Sequence, residues 1–297
     1  ELDRLREIVS ARAPMIELND DLGIGNQLRP IEAPEEIAIV QRELAATRVL
    51  IADGHHRYET ALNYRRACRA EYDSPTPQAF DYVMMALVPC DDPGLVILPT
   101  HRVVKRLAAD AIASFATRAR ELFEVNEFDD PNAMLARLKQ SGRGVLGVAL
   151  RSATSPGSST TEIKVKAWLL TLKEKDSATL AAALPGAPPE VRELDVSILH
   201  ALVFDRIFSI RAEEIRTGGG IEYTIDARAA LYAVRDGRAD GAFLMNPPSI
   251  RDVELVSDAG ATMPEKSTYF YPKLLTGLVL NPLDDEDAGA ARAKTSA

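Results

Sequence analysis

The residues best suited to chemistry lie in one short stretch, Asp53-Gly54-His55-His56-Arg57. It holds two of the four histidines of the chain and follows the apolar run 49–52. An apolar run that meets a helical pattern predicts a strand that turns into a helix. The first N–H groups of a helix lack partners and its dipole adds positive potential, so such a turn attracts anions. We interpret this stretch as a phosphate-binding turn.

Each residue type in the turn suggests a role. His55, His56 and Arg57 can donate hydrogen bonds to phosphate oxygens, and Gly54 lets the backbone approach a ligand closely. Asp53 can orient a histidine, act as a base or contact Mg²⁺ through its water shell. We predict Asp53, His55 and His56 as catalytic, Asp53 as the metal contact, and residues 54–57 as ligands of a nucleotide. The alternative is a histidine pair satisfied by local hydrogen bonds at a helix start.

Two other stretches carry similar groups. His101 and Arg102 follow a predicted strand, a position where α/β proteins place ligands, and both are predicted to contact the nucleotide. The alternative is a surface loop in which Arg102 forms a salt bridge. Lys266 is a candidate catalytic cation, and Ser267 and Thr268 are candidate phosphate ligands. Lys-Ser-Thr resembles the end of a P-loop, but the glycines of that motif are absent, so a P-loop is excluded.

Several familiar sites are also excluded. Gly-x-Gly-x-x-Gly is absent, and Gly218-Gly219-Gly220 precede a predicted strand, which argues against a Rossmann cofactor site. Adjacent histidines at a helix start point in different directions and do not bind one zinc as an i, i+4 pair would. No Gly-x-Ser-x-Gly nucleophile elbow occurs.

The overall composition narrows the function further. The 297 residues carry a net charge of −9, which argues against a general nucleic-acid-binding surface but leaves local anion sites open. No apolar run approaches the length of a transmembrane helix, and the chain opens with charged residues rather than a signal peptide. Two cysteines are too few for a disulfide scaffold. We expect a cytoplasmic protein that binds small anions, with further residues before Glu1.

The periodicity predicts an α/β chain, with α+β as an alternative. It indicates helices over 109–121, 131–140, 195–208, 227–235 and 249–258, and strands over 122–128, 144–151, 163–172 and 242–245. The apolar run 82–88 is typical of a strand covered on both faces, and the turn 91–94 is expected to pair it with a strand at 95–98. We predict one domain over 1–108, truncated at its N terminus, a second mixed α/β domain over 109–282, and a disordered tail over 283–297.

Three motifs together resemble the DUF1015 family of bacterial and archaeal proteins. They are Ile51 to Leu62 around Asp-Gly-His-His-Arg, Leu98-Pro99-Thr100-His101-Arg102, and Lys266 to Leu274. The resemblance extends over residues 15–282, and Leu194 to His200 fits it as well. Members of that family usually carry a further N-terminal segment, which agrees with a truncated first domain.

The Asp-Gly-His-His-Arg motif is also similar to the phosphate-binding motif of the ParB/sulfiredoxin superfamily, above all to that of its free-serine kinases. The resemblance implies a ParB/sulfiredoxin-like first domain in which a helix start binds nucleotide phosphates. Sulfiredoxins carry a cysteine beside their His-Arg pair, whereas this chain has Gly54-His55 there, so reductase chemistry is not supported. The acidic charge argues against the DNA-binding role of ParB.

We therefore expect a nucleotide-dependent phosphotransferase that uses ATP or ADP with Mg²⁺ and acts on a small hydroxylated metabolite, with free serine as the leading candidate. The alternative is a non-catalytic nucleotide-binding regulatory protein of the ParB-like type, in which the same turn binds a nucleotide and shifts a domain interface or a homodimer. The expected partners are a nucleotide and a small molecule, not nucleic acid or a membrane.

Overall fold

The computed structural model describes residues 1–21, 23–71, 75–152, 164–173, 178–216 and 220–283. The chain forms two compact units: unit 1 is Glu1–Pro89 with the chain from Pro272 onward, and unit 2 is Cys90–Tyr271. The domain limits predicted from sequence stay predictions. Gly218 and Gly219 and the predicted tail beyond Leu283 lie outside the described residues.

Unit 1 is mainly helical. Its elements are α1 (Leu2–Ser10), β1 (Ile16–Asn19), β2 (Gly25–Leu28), α2 (Pro34–Ala45) and α3 (His55–Glu71). Strands β1 and β2 form an antiparallel hairpin. Helix α2 begins where Pro34 fixes the backbone and Glu35 and Glu36 favour the positive end of the dipole.

Two strands predicted for unit 1 are wrong. Residues 49–52 and 82–88 form no strand, and Val49, Tyr82 and Met85 are exposed rather than buried. Apolar content indicated strands, but a strand also requires a neighbour for its backbone hydrogen bonds. No described residue pairs with either segment as a sheet partner.

Unit 2 is built on a central sheet. Its elements are β3 (Val96–Leu98), β4 (His101–Val104), α4 (Ala109–Leu122), β5 (Phe123–Phe128), α5 (Pro131–Lys139), β6 (Val145–Arg151), β7 (Val165–Leu172), α6 (Ala178–Ala183), α7 (Pro189–Arg192), α8 (Asp195–Ile198), α9 (Ala212–Arg216), β8 (Ile221–Thr224), α10 (Ala227–Arg235), β9 (Gly241–Met245), α11 (Ile250–Asp258) and β10 (Tyr269–Tyr271). Six strands form one antiparallel sheet in the order β5-β7-β6-β9-β4-β8.

The side chains of each strand point alternately to the two faces of this sheet, and each face packs against helices. Along β6, Leu146, Val148 and Leu150 join a core of large side chains that includes Phe115 of α4. Small residues such as Ala149 face the opposite core, which contains residues of α5 and α10. Unit 2 therefore has three layers, with helices on each side of the sheet.

A separate two-stranded sheet in unit 2 corrects a second prediction, the partner of β3. Strand β3 does not form the predicted hairpin with residues 82–88. It pairs antiparallel with β10, so that Val96 lies opposite Tyr271 and Leu98 opposite Tyr269. The Tyr-Phe-Tyr segment of the Lys266 motif is therefore brought to the chain just before His101. The turn at 91–94 indicated residues 82–88 as the partner of β3, whereas the observed partner is β10, far along the chain.

The predicted helix over 195–208 is present but irregular. It begins as α8 and continues as a π-helix over Leu199–Asp205. His200 lies in the π-helical part, and its ring stacks on Phe204 with centroids 5.7 Å apart. π-Helical turns are uncommon and often accompany functional sites.

The structure confirms the predicted mixed α/β class, because helices and antiparallel sheets alternate through the described chain. Among the described helices, none combines the length and apolarity needed to cross a membrane.

Candidate functional site

The predicted phosphate-binding turn lies in unit 1 at the start of α3. Helix α3 begins at His55, and the Tyr58 N–H donates to the Gly54 carbonyl at 3.0 Å, closing the first helical turn. The first N–H groups of this helix therefore point toward the Asp53–Arg57 turn. The helix start at this position is as the sequence predicted.

One carboxylate binds two cations beside this helix start. Asp53 Oδ2 lies 2.9 Å from Lys273 Nζ and 3.5 Å from Arg57 Nη2. The hydrogen bond from Lys273 lowers the pKa of Asp53, and the charge of Arg57 and the Gly54 N–H act in the same direction. Asp53 is thus an ionised group that holds Lys273 and Arg57 beside the first turn of α3.

Gly54 is required by the position of the Arg57 side chain. Its φ of +90° lies in the left-handed region that favours glycine. A Cβ on Gly54 would lie 3.0 Å from both Nε and Nη2 of Arg57, because the guanidinium folds back over the backbone. The glycine therefore allows the sharp turn and leaves room for the guanidinium.

The two histidines are exposed at the same helix start. His56 Nδ1 lies 3.5 Å from Glu59 Oε2, one turn further along α3, and the His56 side chain is 93% exposed. His55 occupies the first helical position and is also exposed. Both imidazoles are therefore accessible from solvent for a ligand.

Gly54→Ala tests this geometry. The methyl group should strain the left-handed backbone by about 1–2 kcal/mol and displace the Arg57 guanidinium. We expect a lower melting temperature and weaker binding of ADP, measured by thermal unfolding and calorimetry. Gly277→Ala is the matched control, because Gly277 of unit 1 has a φ of +92° and a Cβ there would meet no atom within 4 Å. Unchanged ADP binding in Gly54→Ala would contradict a contact between the Arg57 guanidinium and the nucleotide.

His101 lies in unit 2, at the start of β4, and is only 3% exposed. Its Nδ1 accepts a hydrogen bond from the Met245 N–H at 3.4 Å, and burial lowers its pKa to about 4. The neutral imidazole therefore packs inside the sheet region of unit 2.

Arg102, the next residue of β4, is fully buried. Its Nη1 donates to the Thr100 carbonyl, and its Nη2 donates to the Lys266 carbonyl at 2.9 Å. The guanidinium lies 5.4 Å from the centroid of the Tyr223 ring, and its Nε has no hydrogen-bond partner among the described residues. The alternative of a surface loop in which Arg102 forms a salt bridge is therefore wrong, because Arg102 is buried in an inner strand of the sheet, whereas its predicted contact with a nucleotide stays a prediction.

The Lys266 segment forms a tight turn in unit 2. The Ser267 N–H donates to the Pro264 carbonyl at 3.3 Å, and the Ser267 hydroxyl donates to the same carbonyl at 2.6 Å. Ser267 is buried and Thr268 is half-buried, whereas Lys266 is exposed and has a φ of 55°. Within unit 2, the structure thus brings Arg102 and Lys266 together from two separate motifs.

Sequence reasoning missed two residues. Lys273 belongs to the Lys266–Leu274 motif, but nothing in its spacing indicated a contact with Asp53, 220 positions away. His200 was noted only as part of a predicted apolar helix. Among the described residues its Nε2 has no hydrogen-bond partner, and burial lowers its pKa to about 3. The signal available in the sequence for His200 was a histidine within a run of apolar residues.

The two buried histidines predict a pH dependence for unit 2. Their folded-state pKa values lie near 4 and 3, below the value of 6.5 for a free histidine. Unfolded chains therefore bind more protons as the pH falls below about 6.5, and stability decreases by up to about 1.4 kcal/mol per pH unit for each histidine. His200→Phe should reduce this slope in urea unfolding between pH 6.5 and 4.5. An unaltered slope would contradict a buried neutral His200.

A metal site is not preformed in the described part of the chain. No group of three or more His, Cys, Asp and Glu side chains is arranged there to hold an ion. Asp53, the predicted metal contact, already binds Lys273 and Arg57. A magnesium ion would therefore fit only if the nucleotide supplied most of its ligands, as is common for this ion.

Comparison with known proteins gives a family. The sequence model of DUF1015, described as a protein of unknown function, matches residues 1–197, about two thirds of the chain. No curated protein matches the chain.

Several solved structures are similar at low identity. A conserved hypothetical protein from Pyrococcus furiosus is 14% identical, with a TM-score of 0.37 over 75% of this chain and 70% of that one. A free serine kinase in complex with AMP is 13% identical, with a TM-score of 0.36 over 81% of each chain. A variant of a free serine kinase in complex with ADP is 14% identical, with a TM-score of 0.36 over 74% of this chain and 66% of that one.

Proposed function

Since this chain belongs to the DUF1015 family, described as of unknown function, we propose its activity from its own residues: a nucleotide-dependent phosphotransferase acting on a small hydroxylated metabolite. The observation that carries the proposal is the sharing of one Asp53 carboxylate between Lys273 and Arg57 at the start of α3. The Arg57 guanidinium is 78% exposed at this helix start, and the helix dipole adds positive potential to its charge.

Phosphate is the anion that suits the positive charge and the hydrogen-bond donors at this helix start. Arg57 can form two parallel hydrogen bonds to phosphate oxygens, and the first N–H groups of α3 can donate to the same ligand. His55 and His56 are exposed beside them and supply further donors. ATP or ADP, with Mg²⁺ bound to its phosphates, is the proposed nucleotide.

In the proposed reaction the terminal phosphoryl group moves from the nucleotide to a hydroxyl oxygen of the acceptor. The bond from phosphorus to the bridging oxygen breaks, a new phosphorus–oxygen bond forms, and the hydroxyl proton is released. Catalysis of this kind depends mainly on positioning and on neutralising charge. Free serine is the first acceptor to test, because it is a small hydroxylated metabolite.

The pKa of Asp53 favours one of its predicted roles over another. A carboxylate whose pKa is lowered is a weak general base at neutral pH. We propose that Asp53 positions Lys273 and Arg57, and contacts the water shell of Mg²⁺, rather than abstracting the hydroxyl proton. His55 and His56 are then the candidates for that proton transfer, because histidine is the side chain that most often acts as a general acid or base. The predicted phosphate contacts of His101, Arg102, Ser267 and Thr268 stay predictions.

The test is a product assay. The full chain is incubated with ATP or ADP, Mg²⁺ and serine, then with pooled hydroxylated metabolites, and phosphorylated products are detected by ³¹P NMR and mass spectrometry. A phosphate ester whose formation requires Arg57 supports the proposal. Nucleotide binding without any product would instead support the regulatory alternative, and absence of both binding and product would overturn the two together.

A further inference from the structure

The turn at Pro264-Glu265-Lys266-Ser267 is strained at one residue. The hydrogen bond from Ser267 N–H to the Pro264 carbonyl defines a four-residue β-turn, in which Lys266 occupies the third position with a φ of 55°. Turns with a positive φ at this position usually contain glycine or asparagine there, because a Cβ costs energy. A lysine at that position is therefore less stable than a glycine would be.

Two contacts hold the strained turn in place. The Ser267 hydroxyl donates to the Pro264 carbonyl, and Arg102 Nη2 donates to the Lys266 carbonyl at 2.9 Å. With its carbonyl held by the buried guanidinium, the Lys266 residue keeps its left-handed conformation, and its side chain is exposed. Backbone strain that is held by its surroundings is common at ligand sites.

Among the described residues, no carboxylate forms an ion pair with Arg102 or Lys266. Arg102 is fully buried, and its Nε has no hydrogen-bond partner in that part of the chain. Burial lowers its pKa only to about 10, so it stays protonated at neutral pH. Lys266 likewise has no ion pair with a described carboxylate, although its neighbour Glu265 is exposed. The buried guanidinium of Arg102 thus holds the backbone carbonyl of an exposed lysine.

We propose that Lys266 is a phosphate-binding residue and that Arg102 is the positioning residue that presents it. Lys266 contributes its ammonium to a phosphate group of the ligand, and the half-buried Thr268 supplies a neighbouring hydroxyl. In this inference Arg102 holds the turn rather than the phosphate, which replaces the contact predicted for it from the sequence. The inference concerns a phosphate contact within unit 2 and is argued separately from the nucleotide-binding turn of unit 1.

The substitution Lys266→Gly separates strain from binding. Glycine relieves the left-handed conformation, so the variant should be at least as stable as the wild type in thermal unfolding. Its loss of the ammonium should weaken phosphate binding about tenfold or more, because a charge-assisted hydrogen bond is removed. If Lys266 only shaped the turn, Lys266→Gly would keep or raise the thermal stability and leave phosphate binding unchanged.

The binding test is a titration of the ¹⁵N-labelled full chain with inorganic pyrophosphate, followed by NMR at the amides of Lys266 and Thr268. The wild type should show saturable shifts, and Lys266→Gly and Lys266→Met should lose them. Lys166→Met is the charge-matched control, since Lys166 is an exposed lysine of unit 2 that pairs with Glu127. Absence of saturable shifts in the wild type, or equal affinity in Lys266→Gly, would overturn the inference.

Arg102 is tested with two variants. Arg102→Met removes the donor to Lys266, and Arg102→Lys keeps a charge and a single donor group. We expect affinity for pyrophosphate to fall in the order wild type, lysine variant, methionine variant, with the Lys266 ammonium present in all three. Affinity equal to that of the wild type in a folded Arg102→Met variant would refute its positioning role. If that variant does not fold, the Lys266 variants and the lysine variant carry the test.

Failure of this inference is distinguishable from failure of the proposed function. The product assay requires transfer from a nucleotide, whereas the pyrophosphate titration requires only anion binding at the Lys266 turn. Phosphotransfer by a chain that shows no saturable pyrophosphate shifts at Lys266 would overturn the role of Lys266 alone. Pyrophosphate shifts at Lys266 in a chain without transferase activity would overturn the proposed function alone.

Discussion

Replacement of Phe115 by alanine is expected to lower the free energy of unfolding of unit 2 by about 3–5 kcal/mol. Phe115 is fully buried on α4. Its ring centroid lies 5.1 Å from that of Trp168 and 5.5 Å from that of Phe208. The substitution removes both aromatic contacts and leaves a cavity at the centre of the larger core.

Trp168 provides the measurement. It is the single tryptophan of the chain and is 4% exposed in β7, so its fluorescence reports unfolding of unit 2. The urea midpoint of Phe115→Ala should fall well below that of the wild type. Tyr232→Ala is the control, because Tyr232 is an exposed aromatic residue on α10 whose contact is with Arg235; its loss should cost about 1 kcal/mol or less. Equal effects of the two substitutions would contradict the core position of Phe115.

Replacement of Arg57 by alanine is expected to weaken nucleotide binding by about 1.5–3 kcal/mol, which corresponds to a loss of roughly ten- to a hundredfold. The substitution removes the guanidinium beside Asp53 and leaves the backbone of α3 unchanged. The Arg57 side chain is 78% exposed, so the stability of the fold should change by less than about 0.5 kcal/mol.

Calorimetric titration with ADP and ATP gives the affinities. Arg66→Ala is the matched control, because Arg66 lies on the same helix and its Nη1 lies 3.4 Å from Asn63 Oδ1, one turn away. That variant should bind as the wild type does. Equal affinities for wild type and Arg57→Ala, in chains that melt at the same temperature, would remove the start of α3 from the nucleotide site.

Unit 2 shows how far the sequence predicts a fold. The strands over β5, β6, β7 and β9 and the helices α4, α5, α10 and α11 were predicted to within about two residues, because their apolar residues alternate with the period of a strand or of a helix. Pairing was less predictable. β3 joins β10, far along the chain, and a local turn signal carries no information about such a partner.

Unit 1 shows the opposite case. The apolar runs 49–52 and 82–88 have the composition of buried strands, yet the structure leaves them without strand partners and with exposed side chains. Composition predicts that a segment is able to form a strand. Whether it does so depends on a neighbouring backbone with unpaired hydrogen-bonding groups, which composition does not describe.

The Asp53–Arg57 turn and the start of α3 at His55 follow from local signals, because glycine and clustered polar residues precede a helical pattern. The pairing of Asp53 with Lys273 and the hydrogen bond from Arg102 to the Lys266 carbonyl arise only when the chain is folded. These contacts join residues 220 and 164 positions apart, and local periodicity does not specify which distant side chains the folded chain brings within hydrogen-bonding distance.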